Sequence, residues 1–366
     1  MDMVKMFHMN GGIGDESYSS NSGLQRAGIM KTQGSIEEAI SELYKNNPSC
    51  TKTIIMADLG CSVGPNTLLV SSIVINAVAK TSLELGLKSP EVQINLNDLP
   101  TNDFNTIFTS LPEHQENSTN DHLPLCYFTG VPGSFFNRLF PSKTINFIHS
   151  SYGLHWLSKR PELEEINKGS IYLSRTTPES VSRAYYQQFQ KDFLGFLKCR
   201  SEELVGGGRM ILTLLGRTND DSRDEESYYV WRPLAMALQE MVSEGLVDEE
   251  KFDSFNIPLY TPSTNEIKNL VETQGFFRID RLEHFYVYME TLKTDKFDEA
   301  YEDEGIVRAL AKSMRAASES LVANHFGEAI LDNVFTRYAK RYAKILSCNK
   351  EKGRYVSVTV SLIKKE

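Results

Sequence analysis

The stretch "IIMADLGCSVGPNTLL", residues 54–69, decides the fold. Ile54, Ile55, Met56 and Ala57 read as a buried strand, and Asp58 stands where that strand must end. Gly60 and Gly64 bracket a short loop, and Pro65, suited to the first position of a helix, opens a long apolar run. Strand, acid, glycine loop and helix in this order make one unit of an open α/β sheet, in which ligands bind beyond the strand ends.

The loop does not read as a dinucleotide site. That fingerprint is GxGxxG, with an acid about 20 residues further on for the ribose. Here the spacing is Gly60-x-x-x-Gly64, and the next strand-end acid, Asp98, lies nearly twice that far along. A pyrophosphate would also be repelled by Asp58. A cofactor with a positive charge and no phosphate removes the conflict. S-adenosylmethionine is such a molecule: it brings a sulfonium and an ammonium near the loop and a ribose diol to Asp98.

Further strand-like runs are "EVQINLNDLP" (91–100), "CYFTG" (126–130), "TINFIHSS" (144–151), "GRMILTLLG" (208–216), "FFRIDRLEHFYVYM" (276–289) and "RYVSVTVSLI" (354–363). With helices between them, these seven runs predict an α/β fold. The last alternates Val356, Val358, Val360 and Leu362, as in an antiparallel edge or last-inserted strand. The region from about 217 to 345 is richer in helical spacing, and Ser263 with Glu266 reads as a capping box. We assign residues 1–216, 275–292 and 353–366 to the sheet domain, and 217–274 and 293–352 to a mainly helical cap.

The composition bounds the function. The chain has 366 residues, long for one core, with 40% hydrophobic and 24% charged residues. A net charge of −9, from 39 basic and 48 acidic residues, argues against a nucleic-acid partner. No run of 18 uninterrupted apolar residues predicts a membrane span, and the start "MDMVKMFHMNGG" lacks the apolar core of a signal peptide. The five cysteines, Cys50, Cys61, Cys126, Cys199 and Cys348, are scattered and form no CxxC, which fits a reduced cytoplasmic setting. The sequon Asn117-Ser118-Thr119 is accordingly read as having no meaning.

The motifs "MNGGIGDESYSSNSGLQ", "ADLGCSVGPNT", "LNDLPTNDFN", "GVPGSFFNRLFP", "HSSYGLHWLS", "NKGSIY", "FNIPLYTPS" and "HFGEAI" follow one another along the chain. Together they resemble the plant SABATH family of S-adenosylmethionine-dependent carboxyl and N-methyltransferases, over essentially all 366 residues. The resemblance implies a seven-stranded class I methyltransferase (Rossmann-like) sheet with a helical cap, commonly a homodimer. It implies S-adenosylmethionine, with S-adenosylhomocysteine as product, at Tyr18, Asp58, Cys61, Asn66, Asp98, Leu99, Ser134, Phe135 and Ser151. The chemistry agrees where it can be followed: Asp98 can accept both ribose hydroxyls and Phe135 offers a face for adenine.

The resemblance also implies an acceptor site at Gln25, Tyr152, His155 and Trp156, with Gln25 and Trp156 gripping a carboxylate. Leu215, Val230, Trp231, Tyr260, Met314 and Tyr355 fall on positions lining the ring of a small aromatic acid of the salicylate or benzoate type. An acid with pKa near 4 is already ionised at neutral pH, so no catalytic acid–base residue is expected. Asn167, Asp253, Phe255 and Asn256 match a magnesium site of some relatives, which would brace the fold rather than take part in methyl transfer. His155 keeps xanthine N-methylation open, since relatives acting on xanthines carry the same "HW", whereas salicylate members often have Met there and Ser for Gly153. Jasmonate is a further acceptor, against which Tyr152 would crowd a flexible tail. A non-catalytic cofactor-binding module is the reading from another class, and the intact Gln25–Trp156 pair argues against it.

Overall fold

Residues Thr53–Leu59 (β1), Glu91–Asp98 (β2), Cys126–Pro132 (β3), Ile145–Ser151 (β4), Leu204–Leu215 (β5), Phe277–Tyr288 (β6) and Arg354–Lys364 (β7) form one sheet in this computed structural model. Their order is β3-β2-β1-β4-β5-β7-β6, and only β7 runs against the rest. The structure describes residues 8–47, 50, 52–116, 123–224, 226, 228–289, 302–348 and 353–366. The sequon at 117–119, the first seven residues and most of the acidic stretch 296–305 lie outside the described residues.

The chain runs outward from β1 through β2 and β3, then returns to place β4 on the other side of β1. That reversal leaves a crevice beyond the carboxyl ends of β1 and β4, where open α/β sheets bind ligands. Asp58 of β1 and His149 of β4 are direct register partners at its floor.

The alternating last strand is inserted between β5 and β6, and β6 takes the edge. Its second face is polar but buried: Ser357 Oγ meets Tyr152 Oη at 2.9 Å and Thr359 Oγ1 meets Thr213 Oγ1 at 2.6 Å. Alternation here reflects two buried faces, one apolar and one hydrogen-bonded.

Ten helices flank or cap the sheet among the described residues: Tyr18–Asn21 (α1), Gly23–Asn46 (α2), Pro65–Leu85 (α3), Phe104–Glu116 (α4), Glu179–Glu203 (α5), Arg232–Ser243 (α6), Glu249–Ser254 (α7), Thr264–Gln274 (α8), Glu302–Phe326 (α9) and Leu331–Cys348 (α10). α3 begins at Pro65 after Gly64, whose φ of 115° and close approach to the Ser19 backbone leave no room for a side chain. By length and apolarity α3 could cross a membrane, but here it is largely buried and packs against α2. The capping box at Ser263 and Glu266 is present at the start of α8, which packs on α5 and β6. α10 packs against α6 and α9, and one apolar core runs from the sheet into these helices without a break. The segment before α1 is tied to α9, with Asn10 N–H donating to Ala316 O and Ser320 Oγ to His8 O.

Candidate active site

Two cavities meet at the crevice. The larger, about 430 Å³, is lined by Tyr18, Asp98, Leu99, Ser134, Phe135 and Ser151 together with Gly60 and Ser62. Asp98 closes β2, and its carboxylate accepts the amide hydrogens of Ser62 (2.6 Å) and Leu99 (2.7 Å). Burial pushes its pKa up to about 6, against the pull of these two amides. Beside it the Ser62 hydroxyl is buried and has no partner. An acid with unused acceptor capacity beside an orphaned hydroxyl fits a ribose diol, so the residues present suit S-adenosylmethionine.

Asp58, Cys61 and Asn66 stand around a smaller recess behind this cavity. Both oxygens of Asp58 are occupied: one accepts Thr67 Oγ1 at 2.6 Å and the other lies 2.7 Å from His149 Nδ1. Asn66 donates to the carbonyl and hydroxyl of Ser22, each at 3.0 Å, and so ties α3 to the start of α2. Asp58 and Asn66 thus tie the loop to its surroundings at the edge of the recess. The Cys61 thiol is buried, which pushes its pKa up and keeps it protonated.

One clamp under the Phe135 loop has no counterpart among the sequence expectations. Arg200 of α5 is fully buried and donates to Phe135 O at 2.6 Å and Asn137 O at 2.8 Å. Glu203, equally buried, accepts from Arg200 at 2.7 Å and from the amides of Leu139 and Phe140. The pair fixes the loop carrying Ser134 and Phe135 from beneath. Arg and Glu three apart on a helix is too common a pattern to have pointed here.

The second cavity, about 90 Å³, shares Met9, Tyr18, Tyr152 and Trp156 with the first. Gln25, His155, Leu215, Val230, Trp231, Met314 and Tyr355 line it. Residues 155–157 pair with 258–260 as a short bridge, which brings "GLHWLS" onto "IPLYTPS". Leu215 N–H donates to His155 Nδ1 at 3.1 Å, so the ring proton sits on Nε2. Burial lowers the His155 pKa to about 3, and the ring is a neutral donor. The Gln25 amide oxygen is buried without a partner. Glu226, Tyr229 and Leu310 also line it.

Tyr152 has a left-handed backbone (φ 59°) at the wall between the cavities. Its ring occupies space that exists because residue 28 is glycine: a Cβ there would lie 1.8 Å from the Tyr152 hydroxyl. A buried ring held this way in a sparsely populated conformation marks a position over-determined by its surroundings.

One expectation needs correction. Tyr260 does not line the acceptor cavity. Its hydroxyl donates to Glu266 at 2.7 Å and Arg217 lies over its ring, so the capping-box acid draws it into the core behind His155. Asn167, Asp253, Phe255 and Asn256 come together as a junction between two chain segments. Asn167 Oδ1 accepts Thr177 Oγ1, Asn256 Oδ1 accepts Asn167 Nδ2, and Asp253 accepts Gly169 N–H. Phe255 turns its ring onto His325 and Phe326. These hydrogen bonds close the junction, with Asp253 its one carboxylate.

An open sheet with a strand-end acid, a glycine loop at the reversal of strand order and an adjoining capped pocket defines a class I methyltransferase fold. The chain belongs to the S-adenosylmethionine-dependent carboxyl methyltransferase family, whose profile matches residues 4–365. It is 47% identical over 367 residues to a benzoic acid/salicylic acid carboxyl methyltransferase of Petunia hybrida, covering 100% of this chain and 99% of that one. It is likewise 47% identical to a salicylate carboxymethyltransferase of Clarkia breweri, again over 100% and 99% of the two chains. The structure of a loganic acid methyltransferase with SAH superposes with a TM-score of 0.83 at 33% identity, over 98% of this chain and 99% of that one. Relatives named for jasmonate or xanthine methylation match less closely.

Proposed function

We propose that this methyltransferase esterifies the carboxylate of a small aromatic acid of the benzoate or salicylate type. The observation that carries the reading is the acceptor cavity itself: mostly aromatic and aliphatic walls with the donors of Gln25, His155 and Trp156 and one carboxylate, Glu226, opening onto the cofactor cavity. The cofactor supplies an electrophilic methyl group on a sulfonium. Gln25, its amide turned over, and the indole of Trp156 aim one carboxylate oxygen toward the larger cavity. Alignment of that oxygen is most of the task, because the nucleophile is already ionised. Leu215, Val230 and Met314 keep water from the ring. Glu226, which accepts Thr218 Oγ1, disfavours an acceptor with a second anionic group.

His155 favours one alternative, since a fixed Nε2–H suits a purine carbonyl. Methylating a purine N–H also requires removal of its proton, and a histidine with pKa near 3 is a poor base for that. A homodimer and a cytosolic setting complete the proposal; the family resemblance and the scattered cysteines support them, and light scattering and cell fractionation test them. The substrate test is one panel of salicylate, benzoate, anthranilate, cinnamate, jasmonate and 7-methylxanthine, ranked by kcat/KM. Benzoate should at least equal salicylate, because salicylate's hydroxyl is satisfied by its own carboxylate. His155→Met should shift the ratio toward salicylate, as a pliant thioether replaces a fixed donor. A xanthine heading the panel sinks the proposal.

A further inference from the structure

Asp58, His149 and Ser151 form a hydrogen-bonded relay at the ends of β1 and β4. Asp58 Oδ1 lies 2.7 Å from His149 Nδ1, and His149 Nε2 lies 3.0 Å from Ser151 Oγ. His149 and Asp58 are 1% and 4% exposed, and Ser151 lines both the cofactor cavity and the recess behind it. Asp58 Oδ2 is held by Thr67, so the carboxylate cannot swing away from the ring.

A carboxylate only accepts, so the proton between Asp58 and His149 sits on Nδ1. In the neutral imidazole Nε2 is then an acceptor, and it takes the hydroxyl hydrogen of Ser151. The Ser151 oxygen is left with its lone pairs toward the cavity. Asp98 suits the ribose and Phe135 the adenine, which leaves the amino-acid end of the cofactor for the side where Tyr18, Gly60 and Ser151 meet. We propose that His149 is a positioning residue that polarises Ser151 as an acceptor for the α-ammonium of the methyl donor. The inference rests on the cofactor reading above.

Calorimetry with S-adenosylhomocysteine and with its analogue lacking the α-amino group tests it. His149→Phe and Ser151→Ala should each weaken S-adenosylhomocysteine by about tenfold, the scale of one hydrogen bond to a charged group, and shift the deaminated analogue by less than twofold. The double variant should bind no more weakly than either single one, and His149→Gln should restore most of the loss. Ser151→Ala carries the test if His149→Phe fails to fold. Equal weakening of both ligands, or of neither, overturns the relay. Absence of S-adenosylhomocysteine binding to the unaltered protein would instead remove the cofactor reading itself.

Discussion

The two cavities are built from different materials. The cofactor cavity, about 430 Å³, is walled by strand ends and turns: Gly60 and Ser62 after β1, Asp98 and Leu99 after β2, Ser151 at the end of β4. Gly60 N–H donates to Asn97 O and the amides of Ser62 and Leu99 to the Asp98 carboxylate, so these turns are tied to the end of β2. The acceptor cavity, about 90 Å³, is walled by side chains, several of them from the cap. Dry cavities that take up benzene are closer to 150 Å³, so Met314, Leu310 and their neighbours must give way to admit a ring. A backbone site serves a ligand that never changes, and a side-chain site can be retuned without disturbing it.

The sharpest way to break this contrast is to remove the support beneath the cofactor wall. Arg200→Met strips Phe135 O and Asn137 O of their donor and leaves buried Glu203 with only the half-exposed Arg138, 3.4 Å away, as counter-charge. It should cost about 3–5 kcal/mol in urea unfolding and severely weaken S-adenosylhomocysteine. Wild-type stability and affinity would show that the wall needs no such clamp.

Next in size is a pH effect confined to the cofactor side. The Asp98 pKa is raised to about 6, so its ionised form, the one that accepts ribose hydroxyls, is lost as pH falls through 6. S-adenosylhomocysteine affinity should drop about tenfold between pH 7 and pH 5. The ligand-free protein should respond the other way. A raised carboxyl pKa contributes stability that is present below the ordinary value of 3.8 and lost as pH rises through about 6. Asp98→Asn should flatten both slopes and bind the cofactor more weakly at neutral pH. Parallel slopes in the unaltered protein would contradict the assignment.

On the acceptor side, Gly28→Ala should push the Tyr152 ring toward the smaller cavity, because the new Cβ would overlap its hydroxyl. We expect kcat/KM for ring-substituted acids to fall about tenfold more than for benzoate, the scale of a one-methylene misfit, with cofactor affinity kept. Equal losses for all acids would mean that Tyr152 moves elsewhere. The smallest effect should come from EDTA, since the Asn167–Asp253 junction is closed by its own hydrogen bonds. Turnover should be unchanged within error, and loss restored by Mg²⁺ alone would reverse that reading.

Much of the cofactor side was legible in the residues. Asp58 and Asp98 announced themselves by standing at the ends of apolar runs, and Gly60 and Gly64 by their spacing. What Asp58 does was not legible. It reads as a ligand for positive charge, and in the fold it also holds Thr67 and His149, because its register partner comes from a strand 91 positions away. Tyr260 shows the same limit: nothing local says that Glu266 captures its hydroxyl.

By itself, then, the sequence determined the elements, their largely parallel stacking and the two acids that stand at strand ends by the crevice. These follow from local periodicity and from charge at strand ends, which act over a few residues. Tertiary structure alone decided which of the named side chains remain free to meet a ligand. Hydrogen-bonding capacity is finite, and each buried donor or acceptor goes to whichever partner the fold brings within about 3 Å, wherever it lies in the chain.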